Sequence, residues 1–309
     1  MEIGTTTVTV QTESPASPAI IGTWRDYVTL MKPSIMLLVL ITGLAALVVE
    51  GSLFTKGLDA IWVTIGLLLT GGSANALNQY FERDRDAVMT RTRKRRPLPQ
   101  GKIEPRNALL FSVAIGVAAV VLFAVLFTLL SAALALFTIL FYSLFYTLYL
   151  KPRTAQNIVI GGIAGAMAPP IAWAAMTGTV AEPAWIMFAI IVMWTPPHFW
   201  SLALMYKDDY VNVNYPMLPV VKGDSVTRNQ IFGYTVLMIA TSALLLLSGA
   251  SWFYAIAAVG LGVMFLRTVL SLWRKKDILS ARKVFGYSIV YLFALFIAMM
   301  LDAGIKSIL

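Results

Sequence analysis

Asn78, Glu82 and Asp86 stand four residues apart at the end of a long apolar segment, inside the string Asn-Gln-Tyr-Phe-Glu-Arg-Asp-Arg-Asp. At about 100° per residue, a helix through them keeps all three on one slowly drifting stripe, with two carboxylates separated by one turn. That is a platform for a divalent metal. Magnesium suits it, because this ion binds through one or two carboxylates while keeping waters and substrate phosphate oxygens. Basic residues crowd the platform: Arg91, Arg95 and Arg96 follow directly, and Lys151 and Arg153 come after a later apolar segment. A diphosphate bridged by magnesium is a good leaving group, and nearby guanidinium or ammonium groups stabilise the charge it develops. Its departure from an allylic carbon leaves a carbocation, which needs a dry pocket and aromatic faces. Tyr80, Phe81, Tyr146, Tyr149, Trp194 and Phe199 lie at suitable places along the chain.

A second constellation reads Trp194-Thr-Pro-Pro-His198-Phe-Trp200 and continues to Asp208-Asp209. Asp208 or Asp209 could hold a second ion beside the one at Glu82 and Asp86. Pro196 and Pro197 remove backbone donors inside an apolar segment and are expected to bend or break its helix, which membranes tolerate where protein or a cavity surrounds the break. Beyond it, His198 and Asp209 would share a face, being about three helical turns apart. Gly161-Gly162 to Pro169-Pro170 interrupt the preceding segment, and paired breaks suggest a cavity between helices. His198 is the only histidine, and the chain has no cysteine to act as a nucleophile or a haem ligand. Plainer explanations compete with each signal. A basic run is commonly a topology signal, Glu82 and Asp86 could pair with Arg83, Arg85 and Arg91 on a solvated helix end, and membrane aromatics commonly pack the bundle or meet lipid.

The elements that position these residues follow from hydropathy. With 59% apolar and 13% charged side chains over 309 residues, and a mean hydropathy of +0.78, the chain is a polytopic all-α membrane protein. Apolar segments at about 34–50, 58–80, 107–127, 130–150, 157–177, 184–205, 230–250, 252–272 and 284–303 each approach the roughly 20 residues that cross a bilayer. Nine spans are expected, with an eight-span alternative that treats 230–272 differently. All 24 Lys and Arg residues except Lys56 and Lys306 then fall on one side. Positive charge is retained in the cytoplasm, so the N-terminus is expected inside and the C-terminus outside. The net charge of +9 needs no nucleic-acid partner, and a basic inner face suits anionic lipid and anionic substrates. Residues 1–23 read as a disordered cytoplasmic tail on a prokaryotic inner-membrane protein, lacking the features of a signal or transit peptide. Residues 24–309 form one domain, with charged cytoplasmic loops at about 81–106 and 206–229 expected to carry the chemistry. An Asn/acidic motif after spans 2 and 6 hints at an internal duplication.

The string N-Q-Y-F-E-R-D-R-D with the following M-T-R-T and R-P-L resembles the first acidic motif of the UbiA superfamily of intramembrane prenyltransferases. Y-T-x-x-L-K-P-R-T-x-x-N at 146–157 resembles that superfamily's cytoplasmic loop after span 4. W-T-P-P-H-F-W-S-L-A and D-D-Y-x-x-x-x-Y-P-M-L-P are similar to its haem-farnesylating branch, and the likeness runs from about residue 24 to the end. It implies nine helices around a central cavity open to the cytoplasm, magnesium as cofactor, and farnesyl diphosphate and haem b as substrates. Haem O and diphosphate would be the products, for haem-copper oxidase assembly, with a haem A synthase or an oxidase assembly factor as a possible partner. Asn78, Glu82, Asp86, Asp208 and Asp209 would then be catalytic, all but Asn78 on the metal side. Arg91, Arg95, Arg96, Lys151 and Arg153 would bind diphosphate, while Trp194 and His198 would face haem, His198 orienting it or ligating its iron. Quinone-directed relatives tend to carry Asp in place of Gln79 and Glu82, and an acidic residue near Phe199. A quinone-type prenyltransferase and a transporter are the alternative functions.

Overall fold

The computed structural model describes residues 22–308. Among them, nine helices are long and apolar enough to cross a membrane: α1 Pro33–Glu50, α2 Gly57–Val88, α3 Pro105–Leu126, α4 Leu129–Leu150, α5 Asn157–Thr177, α6 Glu182–Met205, α7 Gly223–Leu246, α8 Trp252–Lys275 and α9 Ile278–Ser307. The eight-span alternative is set aside. Of the tail expected over residues 1–23, residues 1–21 lie outside the described part. Contacts run between successive helices, α9 packs back on α1, and α6 also packs on α9. The odd-numbered span α1 therefore begins at the same end of the bundle where α2, α4 and α6 finish.

Lipid gives helices little hydrophobic reason to associate, so close backbone approach carries much of the packing. A Cβ on Gly66 would come within 2.6 Å of the Phe123 ring, and one on Gly161 within 2.3 Å of the Tyr146 ring. These contacts bring α2 against α3 and α5 against α4. The last ten residues of α4, Phe141–Leu150, form a π-helix, in which the Lys151 N–H reaches back to the Tyr146 carbonyl at 2.9 Å. Such wide turns are rare and cluster at functional sites. Here the register buries Tyr146 and Thr147 and leaves Tyr149 53% exposed.

The two expected helix breaks differ. In α5 the break is present: one helical piece ends at Gly165 and the next begins at Ala168. In α6 it is absent, since the helix runs from Glu182 to Met205 with Pro196 and Pro197 inside it. Both prolines are buried among neighbouring helices, and the Thr195 and Ser201 hydroxyls bond the carbonyls of Ile191 and His198 on either side of the pair. Side-chain hydroxyls and close neighbours are the usual means by which a membrane helix keeps its course through proline. The real interruption comes at Tyr206, after which Lys207–Asn212 forms a separate short helix. His198 and Asp209 thus do not share a helical face.

Candidate active site

The C-terminal end of α2 stays helical to Val88, so the Asn78, Glu82 and Asp86 stripe forms as the spacing requires, and each of the three is 2% exposed. Each carboxylate and amide meets a partner from outside α2. Glu82 Oε1 accepts from the Lys151 ammonium and from the Tyr215 hydroxyl at 3.0 Å. Arg96 donates to Asp86 and lies 3.5 Å from Glu82 Oε2. Asn78 takes the Lys32 ammonium at 2.8 Å on its oxygen and donates to Thr147 Oγ1 at 3.1 Å. Two carboxylates therefore face three cations, Lys32, Arg96 and Lys151, in a largely buried cluster. Burial pulls the Lys151 amine below the usual lysine range, with Glu82 working against it. For Arg96 burial opposes the charge, but Asp86 and Glu82 outweigh it and raise its pKa. An excess of positive charge in a site screened from water is suited to an anion.

The site residues expected from the sequence separate into those gathered here and those left outside. Asp208 is exposed, and Asp209, though buried, accepts backbone N–H groups of Thr90 and Arg91 at 3.0 and 2.9 Å. Neither joins Glu82 and Asp86. Among the described residues no group of three or more His, Cys, Asp or Glu side chains is arranged to hold a metal. The Glu82–Asp86 pair nonetheless fits magnesium, which needs only one or two carboxylates when substrate phosphates complete its shell. Arg95 is exposed at the loop surface. Arg153, also exposed, bonds the Leu148 and Tyr149 carbonyls at 3.0 and 3.2 Å and lies over the outward-facing Tyr149 ring. The aromatic wall expected of Tyr149 passes to Tyr142, which stacks on Tyr146 at 5.2 Å. Tyr80, expected in the prenyl pocket, packs instead against Leu30, Leu98 and Ile103 with Arg83 over its ring, because two helical steps turn it away from the Asn78–Glu82 stripe; it meets Phe81 edge to face at 5.3 Å.

His198 lies about 10 Å inside the end of α6 by helical rise. Its ring is sandwiched between Trp194 and Phe285, at 4.3 and 4.5 Å, and meets Phe199 edge-on at 5.0 Å. Nδ1 is 2.7 Å from the Ser288 hydroxyl, whose single proton goes to the Phe285 carbonyl at 2.6 Å. Nδ1 must then be the donor, which leaves Nε2 with its lone pair, the tautomer of a metal-ligating histidine held by its other nitrogen. The Trp194 indole fixes the same turn by donating to the Ser288 carbonyl at 2.7 Å.

Three participants were not singled out as site residues from the sequence. Lys32 sits before Pro33 with φ 56°, a left-handed conformation that neither lysine nor a residue preceding proline favours. Its one sequence signal was a lysine at the mouth of the first span. Tyr215 stood in the Tyr-Pro-Met string but carried no assigned role, and Arg85 joins its hydroxyl at 3.1 Å. Gln79 uses its amide to hold a neighbouring segment. Its Nε2 donates to the Leu30 and Thr29 carbonyls at 2.9 and 3.3 Å, closing the end of the Trp24–Leu30 helix, and Asp has no proton to donate there.

Residues 39–299 match the model of the UbiA prenyltransferase family, and the chain belongs to that family. The protoheme IX farnesyltransferase of Symbiobacterium thermophilum is 47% identical over 282 residues, covering 90% of this chain and 94% of the relative. That of Gloeobacter violaceus is 43% identical over 288 residues, covering 93% and 94%. A solved structure of digeranylgeranylglyceryl phosphate synthase superposes with a TM-score of 0.74 at 18% identity, covering 90% of this chain and 98% of that one. A UbiA homologue from Archaeoglobus fulgidus bound to DMAPP and Mg2+ gives 0.66 at 14%, covering 89% and 99%. At such identities these two structures establish the fold.

Proposed function

We propose that the protein transfers the farnesyl group of farnesyl diphosphate to a vinyl group of haem b, giving haem O and diphosphate for haem-copper oxidase assembly. The observation that carries this reading is the buried cluster of Glu82 and Asp86 with Lys32, Arg96 and Lys151, in a chain 47% identical to a protein named for farnesylating protoheme IX. Magnesium, when held by Glu82 and Asp86, supplies Lewis acidity toward the diphosphate oxygens. Lys32, Arg91, Arg96 and Lys151 meet the charge that gathers on the leaving group, and Asn78 orients it. Arg95 and Arg153, at the surface, draw the anion toward the site. As the farnesyl carbon–oxygen bond breaks, Phe81, Tyr142 and Tyr146 offer aromatic faces to the allylic cation. The terminal vinyl carbon bonds to it. Water then adds a hydroxyl to the other vinyl carbon and gives up a proton.

His198, fixed by Ser288 and stacked on Trp194, orients the haem through its free Nε2. The protein resides in a prokaryotic inner membrane with the site facing the cytoplasm, and a haem A synthase is the fitting recipient of its product. The decisive experiment supplies purified protein with haem b, farnesyl diphosphate and magnesium. A heavier, more hydrophobic haem and released diphosphate are expected. Diphosphate release only with an aromatic or quinone precursor would overturn the haem reading. His198→Ala should alter the Soret band of bound haem b and weaken conversion, while affinity for a farnesyl diphosphate analogue holds.

A further inference from the structure

Asp209 is a buried acid in the loop after α6 that stands outside the Glu82–Asp86 platform. It is 6% exposed, and both of its oxygens are engaged: Oδ1 accepts the Thr90 N–H at 3.0 Å and Oδ2 the Arg91 N–H at 2.9 Å. Those N–H groups open the short helix Thr90–Arg93, where the first turn has no internal acceptors of its own. Asp209 therefore satisfies them as an N-cap side chain would, from another loop. It ties the loop after α6 to the loop after α2, the one that carries Arg96 into the carboxylate cluster.

The clamped turn also carries an unsatisfied group. Arg91 Nε is buried and has no hydrogen-bond partner among the described residues. No ion pair among them includes its guanidinium, although the charge is near enough to act on the phenols of Tyr142 and Tyr210. Arg96 and Lys151 already hold carboxylates; Arg91 is a cation in the same neighbourhood that holds none.

We infer that Asp209 is a positioning residue that clamps the Thr90–Arg91 turn and so presents the unpaired Arg91 guanidinium to the diphosphate, and that it is not a ligand of a second metal. The inference rests on the proposed function, because the anion is that reaction's leaving group. It names a role for a carboxylate that spacing alone would send to the metal.

Thr90→Pro tests it from the opposite side of the bond. Position 90 is the first residue of the helix and Met89 before it is extended (φ −73°, ψ 128°), so proline fits the backbone and removes one of the two N–H groups that Asp209 accepts. Asp209→Ala and Thr90→Pro should each raise the KM for farnesyl diphosphate about tenfold with a smaller change in kcat. The magnesium requirement should not move. Combined with Thr90→Pro, Asp209→Ala should cost only about threefold more, because both changes act on one contact. Trypsin should cut the exposed Arg93–Arg95 run faster in both variants, and inorganic diphosphate should protect it in the wild type but not in Asp209→Ala. A raised magnesium requirement in Asp209→Ala, an undiminished cost of that change in the Thr90→Pro background, or unchanged cleavage would overturn the clamp. If Asp209→Ala fails to fold, Thr90→Pro alone still decides through KM, magnesium and cleavage. If the wild type does not turn over farnesyl diphosphate, the proposed function fails, and the cleavage rates still judge the clamp.

Discussion

Charges buried around Glu82 stabilise one another only as a set, because removing one member leaves another uncompensated away from water. Glu82→Gln strands Lys151 and Asp86→Asn weakens the hold on Arg96, so each should lower thermal stability by about 3 kcal/mol or less while the protein still inserts. Both should cut turnover at least a hundredfold at ordinary magnesium, since a carboxylate contact that strengthens toward the transition state is lost. Near-normal turnover in a diphosphate-release assay would confine these acids to a structural role. Lys32 gives a test in pH. Burial first, then the Arg96 charge, pulls its amine well below the ordinary 10.5. In the free protein it loses its proton in the window below about pH 10.5, so kcat/KM for farnesyl diphosphate should fall as pH rises through that window. Lys32→Arg keeps its charge and should shift this limb upward. Stability should move the other way, because in the same window the unfolded lysine still binds the proton that the folded one has released. Thermal melts of the wild type should therefore rise with pH there, and Lys32→Met should flatten the rise. The acidic stripe was legible in the sequence because a helical period suffices to place it. Lys32 and Tyr215 were not, because they reach Asn78 and Glu82 from 46 and 133 residues away, and no local pattern encodes that meeting.

Hydropathy located every spanning helix, but it read the polar ends as loops. The apolar part of α2 was expected to end near residue 80, and the helix runs on to Val88, as the stripe of Asn78, Glu82 and Asp86 requires; α7 begins at Gly223 rather than near 230. At the end of α2 the polar stretch is satisfied by cations from outside the helix, which hold Glu82 and Asp86; at the start of α7 the Thr227 hydroxyl turns back to the Gly223 carbonyl of its own helix at 2.9 Å. Proline was a sound signal in α5, where the helix is interrupted between the glycines and the proline pair, and a poor one in α6, where buried neighbours hold the helix through two prolines. The π-helical end of α4 had no sequence signature, since a wide turn shares its residues with an ordinary apolar helix. Its position depends on α5. Gly161 lies under the Tyr146 ring with no room for a methyl group, so Gly161→Ala must push aside Tyr146 or part the helices. Overpacking of this kind costs about 1–3 kcal/mol. Gly161→Ala should lower the melting temperature and weaken turnover, because Tyr146 and Lys151 share the π-helical register. Gly165→Ala, where an added Cβ meets nothing within 4 Å, should leave both unchanged.

At the scale of the molecule, the residues brought to the site start from one end of the bundle: the mouth of α1, the ends of α2, α4 and α6, and the loops that follow them. With nine candidate spans among the described residues, successive connections alternate between the two ends of the bundle, so fixing the side of one loop would fix the rest. Charge decides which side the site faces. Every Lys and Arg except Lys56 and Lys306 lies at the end that carries the site, and Lys306 is locally neutralised by Asp302 at 2.9 Å. Inverting the bundle would require moving the Arg93-Lys94-Arg95-Arg96 run across the membrane, against the retention of positive charge in the cytoplasm. A reporter inserted in the 93–102 loop should therefore behave as cytoplasmic, and one fused after Leu309 as external. On the proposed function, that orientation would open the site to a diphosphate arriving from the cytoplasm, with the basic surface drawing it in and the drawing force falling as salt is raised. In sealed vesicles of known orientation, diphosphate should be released only when farnesyl diphosphate is supplied on the face that carries the 93–102 loop. Turnover from the opposite face, or a reversed reporter pattern, would mean that the buried cations receive their anion by another route.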